Sequence, residues 1–325
     1  MEKCEDSKRP RGSQARFCEL FGVPCIGAAR KHIGLIVTPL EQEVLLALGH
    51  ESFTAEDADR IGGAGFTAKA YRRGVVSLEG TGPRYRAADF YTRLEIFAVA
   101  EPELYRSLDT EDQRKIDEWY FDAYYKGLEI RPDALPTADA VLTLAETLAF
   151  IEGEKRQAYL VNCDCRSLAA GAVSHESVCG KPLEVCISFR DGPNSNAHRG
   201  ISRAVTKAEA KQAAVYADKA GLIHTANQNT VCNCCADCCY LSRARRRRNG
   251  ELGTEAGGAV IWPRQTKRVA VAASLCSRCG LCAKRCPFGL FSLEGGTVSA
   301  RAELCVGCGL CANTCPSGAL ELREL

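Results

Sequence analysis

The sequence lacks any long apolar run, and no stretch approaches the roughly 18 apolar residues that a membrane-spanning helix needs. Its opening residues, MEKCEDSKRPRGSQ, carry charges but no apolar segment of the kind found in a secretory signal. We therefore expect no membrane insertion and a cytoplasmic location.

Net charge is also small, at +2 for 325 residues, and a charged fraction of 25% gives no sign of wholesale disorder. A glycine-rich nucleotide loop is missing as well, because GGAGFTAKA lacks the G-x-G-x-x-G spacing and a preceding strand. We expect any flavin or nicotinamide to belong to a partner protein.

Cysteine, by contrast, is abundant, with 20 residues in the chain. Five of them lie in the ten residues VCNCCADCCY, from Val231 to Tyr240. Disulfides are a poor explanation, because adjacent cysteines bridge each other with difficulty and the thiols of a cytoplasmic protein stay reduced. So many cysteines indicate metal or iron–sulfur ligation, and since such sites tolerate oxygen badly we expect an anaerobic cell.

Two segments near the C-terminus repeat one cysteine pattern. They read CSRCGLCAKRCP, from Cys276 to Pro287, and CVGCGLCANTCP, from Cys305 to Pro316. Each is C-x2-C-x2-C-x3-C-P, the spacing that wraps a cubane [4Fe–4S] cluster and whose fourth cysteine ligates the other cluster of a pair. The predicted ligands are Cys276, Cys279, Cys282 and Cys315 for one cluster and Cys305, Cys308, Cys311 and Cys286 for the other.

Residues 263–325 resemble the bacterial ferredoxin module with two [4Fe–4S] clusters, because both motifs are intact and short strand signals flank them. The resemblance implies a small α+β domain with an internal repeat that transfers single electrons. Zinc ribbons are the alternative, but they need separated CxxC pairs rather than two tandem motifs that each end in proline.

Nine more cysteines lie in the middle of the chain, on both sides of a predicted helix. Thr206 and Glu209 form a capping box at its start and Gly221 fits the position after its end, while His224 beyond it is expected to pack or cap. Nine thiols exceed what one cubane needs, so we expect one or two additional iron–sulfur clusters, with zinc sites or a redox-active thiol pair as alternatives. The candidate ligands are Cys163, Cys165, Cys179, Cys186, Cys232, Cys234, Cys235, Cys238 and Cys239.

Within CNCCADCC we expect Cys232 and Cys234 to face different sides, and Cys235, Cys238 and Cys239 to share a face if the segment turns helical. On this interpretation one short segment contacts two metal centres.

The order of these features resembles a group of proteins from anaerobes. A CxCR start is followed by CGKPLEVC, by a helix ending in AGLIHT and by CNCCADCC, all ahead of a 4Fe-4S dicluster domain. The resemblance extends through RYRAADFYTRLEIFAVAEPELYRSL and EWYFDAYYKGLE, so it covers most of the chain. It implies electron transfer and names no substrate.

The N-terminal part has the element order of a winged helix. Thr38 and Thr54 are predicted helix N-caps, and a third helix runs into a two-stranded wing around residues 80–83. DNA binding through Arg72 and Arg73 of the third helix is one interpretation. Because other basic residues are few here, a protein-contact module is the expected role.

The run RARRRR, from Arg243 to Arg248, directly follows the cysteine-rich segment. It has three interpretations: a solvated helix face, a docking surface for an acidic redox partner, or a contact with nucleic acid. The sequence leaves all three open.

We therefore predict an α+β multidomain protein. Residues 1–131 form a winged-helix-like and helical domain, 132–262 a helical cysteine-rich domain and 263–325 a ferredoxin-like domain with two [4Fe–4S] clusters. We expect single-electron transfer to or from a redox partner, a flavoprotein or another oxidoreductase subunit, with no catalytic residue of its own. The alternatives are an iron–sulfur redox-sensing transcriptional regulator and a reductase that uses an unusual cluster in the middle domain. Nucleic acid is not the expected partner.

Overall fold

The structure, a computed structural model, describes residues 12–129, 140–169, 179–251, 266–294 and 297–325. The chain divides into two compact units. Unit 1 comprises residues 1–120, 167–176 and 190–203, and unit 2 comprises 121–166, 177–189 and 204–325. The predicted domain boundaries, near 131 and 262, lie outside the described residues. The chain therefore has two compact units, whereas the sequence predicts three domains. The ferredoxin-like part and most of the middle part both belong to unit 2.

The N-terminal part is mainly helical. Its elements are α1 (Ser13–Phe21), α2 (Gly27–Lys31), α3 (Ile33–Ile36), α4 (Pro39–Leu48), β1 (Phe53–Thr54), α5 (Ala55–Gly62), α6 (Phe66–Arg72), β2 (Val76–Leu78), β3 (Arg84–Ala87), α7 (Phe90–Ala100), α8 (Pro102–Arg106) and α9 (Thr110–Glu129). The predicted N-caps are confirmed, because the side chains of Thr38 and Thr54 each close a capping box at the start of α4 and α5. β1 joins the predicted wing in a sheet of order β1-β3-β2.

A buried ionic network holds unit 1 together around Arg93. This side chain is fully buried, donates to the carbonyl oxygens of Ile36 (2.7 Å) and Arg73 (2.8 Å), and pairs with Glu101 at 2.7 Å. Arg73 itself pairs with Glu41 at 2.9 Å and with Glu101 at 2.6 Å. Arg73, one of the two arginines considered for DNA contact, therefore takes part in ion pairs within the unit.

The middle region is built on a sheet, so the prediction of a helical middle domain is wrong. Its elements are β4 (Ala140–Leu142), α10 (Leu144–Gly153), β5 (Ala158–Asn162), α11 (Asp164–Ala169), β6 (Glu184–Ser188), β7 (Arg203–Val205), α12 (Lys207–Lys219), β8 (Ile223–Ala226), β9 (Thr230–Cys234) and α13 (Tyr240–Glu251). Six strands lie in the order β4-β8-β9-β6-β5-β7. The neighbouring pairs from β4 to β5 are antiparallel.

Helices α10 and α12 pack on this sheet through an apolar core. Ile151 of α10, Leu160 and Ile187 of the sheet and Ala210 of α12 belong to one buried cluster. The predicted helix is confirmed as α12, which begins with the Thr206–Glu209 capping box and is followed by Gly221 at φ +82°.

The C-terminal region repeats one pattern of strand, cysteine motif, short helix and strand. Its elements are β10 (Lys267–Val271), α14 (Leu281–Arg285), β11 (Phe291–Glu294), β12 (Thr297–Ala300), α15 (Leu310–Thr314) and β13 (Leu320–Glu324). β10 pairs with β13 and β11 with β12, both antiparallel. The predicted turn at Gly295 and Gly296 lies outside the described residues. None of the helices in the described ranges combines the length and apolarity needed to cross a membrane.

Candidate metal centres

Two cavities in the C-terminal region are each lined by four cysteines. The first cavity, which we call the outer site, is lined by Cys276, Cys279, Cys282 and Cys315. The second cavity, the inner site, is lined by Cys286, Cys305, Cys308 and Cys311. Each set takes three thiols from one motif and the fourth from the other. This is the grouping that the exchange of fourth cysteines in two-cluster ferredoxins predicts.

The loops around these cavities depend on left-handed backbone. Gly307 has φ +77°, and a Cβ at this position would lie 2.3 Å from the carbonyl oxygen of Lys267, so only glycine fits. Arg278 holds the same place in the first motif, with φ +60°. An arginine in this conformation carries backbone strain of about 1–2 kcal/mol.

Backbone amides point at the cysteine sulfurs, which suits anionic clusters. The N–H of Val269 donates to Cys305 Sγ at 3.4 Å. Burial opposes ionisation of Cys315, but hydrogen bonds from the Ser317 hydroxyl and from the backbone N–H groups of Ser317, Ala319 and Leu320 lower its pKa overall. Four thiols with such donors around an apolar cavity fit a [4Fe–4S] cluster.

The two sites differ in exposure. At the outer site Cys279 is exposed, whereas Cys305 and Cys311 of the inner site are buried. Beside Cys279, three leucines present large apolar side chains to solvent. They are Leu275, Leu281 and Leu293, with 56%, 38% and 48% of their surface exposed.

Six of the nine middle cysteines form a closed ring in which each thiol contacts two others. In order around this six-thiol ring they are Cys163, Cys165, Cys239, Cys234, Cys232 and Cys186, which contacts Cys163 again. The sheet brings them together, because β6 and β9 are paired neighbours and α11 begins directly after β5.

Strand β9 places Cys232 and Cys234 on one face, since side chains two residues apart in a strand point the same way. The expectation that they face different sides is therefore wrong. Asn233 between them faces away and contacts His224, whose Nδ1 lies 2.6 Å from its Oδ1. His224 thus has the packing role expected of it.

The other three thiols form a separate group, the three-thiol set. The sulfurs of Cys179, Cys235 and Cys238 all lie within 4.8 Å of one another. Cys239 was expected to share a face with Cys235 and Cys238, but it belongs to the six-thiol ring, because residues 235–239 form a turn rather than a helix. One short segment contacts two thiol groups, in keeping with the sequence interpretation.

A buried arginine lies between the two groups. Arg166 is 2% exposed, and its Nε and one terminal nitrogen have no hydrogen-bond partner among the described residues. Burial alone would lower its pKa, but the neighbouring Cys163, Cys186, Cys235 and Cys234 raise it. The CxCR motif by itself predicts no role for its arginine, since nothing in the spacing reveals a buried cation.

Most arginines of the run in α13 contact other residues of unit 2. The guanidinium of Arg243 lies 4.3 Å from the ring centre of Phe121, and Arg247 pairs with Asp122 at 2.5 Å. Arg246 donates to the carbonyl oxygens of Ala236 and Asp237. These contacts favour an internal role for the run over the docking and nucleic-acid interpretations.

Backbone N–H groups at the start of α13 also donate hydrogen bonds to thiols of the six-thiol ring. The Tyr240 N–H lies 3.5 Å from Cys165 Sγ, and the Ser242 N–H bonds to Cys239 Sγ. Free amides at a helix N-terminus carry partial positive charge, so they favour anionic sulfur.

The ring and the inner site meet in one apolar cluster. Cys234 and Cys239 of the ring pack there with Val306 and Leu310, and Cys308 of the inner site borders the same cluster. Polar contacts add to this packing elsewhere, because Asp218 of α12 accepts from Arg285 at 3.2 Å and from Asn313 at 3.4 Å.

Comparison with known families agrees with the C-terminal geometry. Residues 275–320 match the family model of the 4Fe-4S dicluster domain. The chain therefore carries a 4Fe-4S dicluster domain at its C-terminal end and binds [4Fe–4S] clusters there. The match does not reach the six-thiol ring or the three-thiol set. No curated protein and no solved structure matches this chain.

Proposed function

We propose that this chain is an iron–sulfur electron-transfer protein in which single electrons pass between the outer site, the inner site and the six-thiol ring. The clusters, when bound, supply one-electron oxidation and reduction. The observation that carries the proposal is the apolar cluster shared by Cys234 and Cys239 of the ring and by Cys308 of the inner site.

This arrangement suits electron transfer for two reasons. The exchanged cysteines make the outer and inner sites neighbours, and the shared cluster makes the inner site and the ring neighbours. The side chains of Val306, Leu310 and Ile223 exclude water from the contact between them. A dry surrounding shell limits the solvent rearrangement that accompanies each change of charge.

The six-thiol ring would hold an additional iron–sulfur centre. Six thiolates exceed the four that one cubane uses, so a centre larger than one [4Fe–4S] cluster would leave fewer thiols without a role. The Tyr240 and Ser242 amides and the guanidinium of Arg166 would balance its negative charge.

The outer site would exchange electrons with a redox protein, a flavoprotein or another oxidoreductase subunit. Cys279 and Leu281 of the outer site are exposed, Leu275 and Leu293 add exposed apolar surface, and Arg278 and Lys284 add exposed positive charge. An arginine held in a strained conformation at this surface favours a functional use of its charge. An acidic partner surface would complement it.

The redox-sensing regulator has less support. Arg73, just after α6, is occupied by Glu41 and Glu101, so only Arg72 of these two arginines is exposed. The loss of one of the two candidate contacts weakens the case for phosphate binding.

Iron and sulfide quantification on anaerobically purified protein tests the proposal. The dicluster domain alone accounts for about eight irons, so a higher count is expected for the whole chain. Cys234→Ala should lower the count towards about eight and remove one electron paramagnetic resonance signal of the reduced protein. Cys18→Ala is the control, because this buried thiol lies in α1 of unit 1. A count of about eight that Cys234→Ala leaves unchanged would overturn the role of the ring.

A further inference from the structure

The three-thiol set has the spacing of a single metal ion rather than of a cluster. Thiolates bound about 2.3 Å from one tetrahedral ion lie about 3.8 Å apart, whereas the terminal thiolates of a cubane stand farther from one another. The sulfurs of Cys179, Cys235 and Cys238 lie within 4.8 Å of one another. Among the described residues, the eight cysteines of the outer and inner sites form no group that close.

Local structure supports the same interpretation. Cys235 and Cys238 have the C-x2-C spacing typical of thiolate sites for zinc. The backbone N–H of Cys238 donates to Cys235 Sγ at 3.2 Å, so the turn between them already favours a thiolate. Arg246 holds this turn from outside through the carbonyl oxygens of Ala236 and Asp237.

Charge balance points to a bound ion as well. Three thiolates around a divalent ion leave one net negative charge, which is costly in a buried place without a counterion. Arg166 supplies a buried positive charge next to Cys235, and two of its nitrogens have no partner among the described residues. The same guanidinium also borders the six-thiol ring, so it lies between two groups of thiols.

We propose that Cys179, Cys235 and Cys238 hold one divalent ion of the zinc class with an open fourth coordination position. Within the described part of the chain these three are the cysteines whose sulfurs lie this close together. Cys179 is half-buried, so solvent reaches this ligand of the set. Three protein ligands and one exchangeable position are typical of zinc sites that bind a small molecule. The ligand class that suits a thiolate-rich ion beside arginines is a small thiol, which binds as thiolate in place of water and gives its proton to solvent.

This inference goes beyond electron transfer and does not depend on it. Metal analysis of the full chain, purified without air and without added chelators, should find about one zinc per chain. Cys235→Ala and Cys238→Ala should lose that zinc and keep the iron of the C-terminal domain. Cys234→Ala, a neighbour that belongs to the six-thiol ring, should keep the zinc and lose iron. Zinc that is absent, or that Cys234→Ala loses and Cys235→Ala keeps, would overturn the proposal.

X-ray absorption at the zinc edge tests the open position in the wild-type chain, even if the alanine variants fail to fold. The expected first shell is three sulfurs at about 2.3 Å and one oxygen or nitrogen. Adding 2-mercaptoethanol should convert it to four sulfurs. Four sulfurs before the thiol is added, or a shell that the thiol does not change, would show a closed structural site. Because this measurement sees zinc alone, its failure leaves the iron-based proposal standing.

Discussion

The guanidinium of Arg166 donates a 2.7 Å hydrogen bond to the carbonyl oxygen of Asn233, the residue that separates Cys232 from Cys234. This single contact ties the CxCR motif to the strand that carries two thiols of the six-thiol ring. It also fixes a buried positive charge beside the ring and beside Cys235. The charge is thus positioned to influence both thiol groups.

Replacing Arg166 with Gln should lower the reduction potential of the ring centre. A unit charge about 7 Å away is worth about 2.4 kcal/mol at an effective dielectric constant of about 20, which corresponds to about 100 mV. The potential falls because the lost positive charge stabilised the reduced, more negative state.

Arg166→Lys keeps the charge and should shift the potential much less, and Arg60→Gln, at an exposed position in α5, should leave it unchanged. A redox titration followed by electron paramagnetic resonance measures all three. Equal shifts for Gln and Lys would contradict the electrostatic role.

Gly307→Ala should abolish the inner cluster while a matched glycine substitution should not. The new Cβ would meet the Lys267 carbonyl at 2.3 Å, and β10 must shift to accept it. We expect a loss of about four irons per chain. Gly318 also has positive φ, at +65°, but nothing lies within 4 Å of a Cβ there. Gly318→Ala should therefore cost only backbone strain of about 1–2 kcal/mol and keep its iron. Equal iron loss in both variants would mean that backbone strain, and not the close approach to Lys267, limits the loop.

Arg278→Gly and Arg278→Gln separate strain from charge at the outer site. Glycine relieves the left-handed strain and should stabilise the domain by about 1 kcal/mol, whereas Gln keeps that strain. Both remove the positive charge, so both should slow reduction by an acidic flavodoxin about 2–10-fold at low salt, with the difference fading at high salt. Stopped-flow reduction and thermal unfolding are the measurements. A rate that neither variant changes would remove Arg278 from the docking surface.

The sequence predicts the C-terminal sites well because their ligands are local. Cysteines at fixed short spacing must wrap the same object, so the partition into two sets of four follows from spacing and from the known exchange of fourth cysteines. The capped helices α4, α5 and α12 are predicted for a similar reason, since a capping box involves residues only three apart.

The middle region resists prediction because its ligands are brought together by strand pairing. Cys163 directly follows β5, and Cys186 and Cys232 lie in β6 and β9, whose register no local signal fixes. Strands of three to five residues are too short to show a clear period, whereas the capped helix α12 is long enough to do so. The partition into six thiols and three, and the burial of Arg166, depend on that register.

The contact between Arg285 of α14 and Asp218 of α12 should stabilise the dicluster domain against loss of its iron. The pair is largely buried, at 3.2 Å; burial opposes ionisation of Asp218, but neighbouring His224, Arg285 and Asn313 lower its pKa overall. Breaking such a pair by removing one partner costs about 1–3 kcal/mol, so Arg285→Ala should speed iron release in mild denaturant roughly 5–150-fold. Lys284→Ala, at the exposed neighbouring position, is the control.

Adding Asp218→Asn to Arg285→Ala should accelerate release less than the two separate effects predict, because the two residues act through one contact. Fully additive rates would show that each residue acts alone, with Arg285 acting through its bonds to the carbonyl oxygens of Asp218 and Lys219.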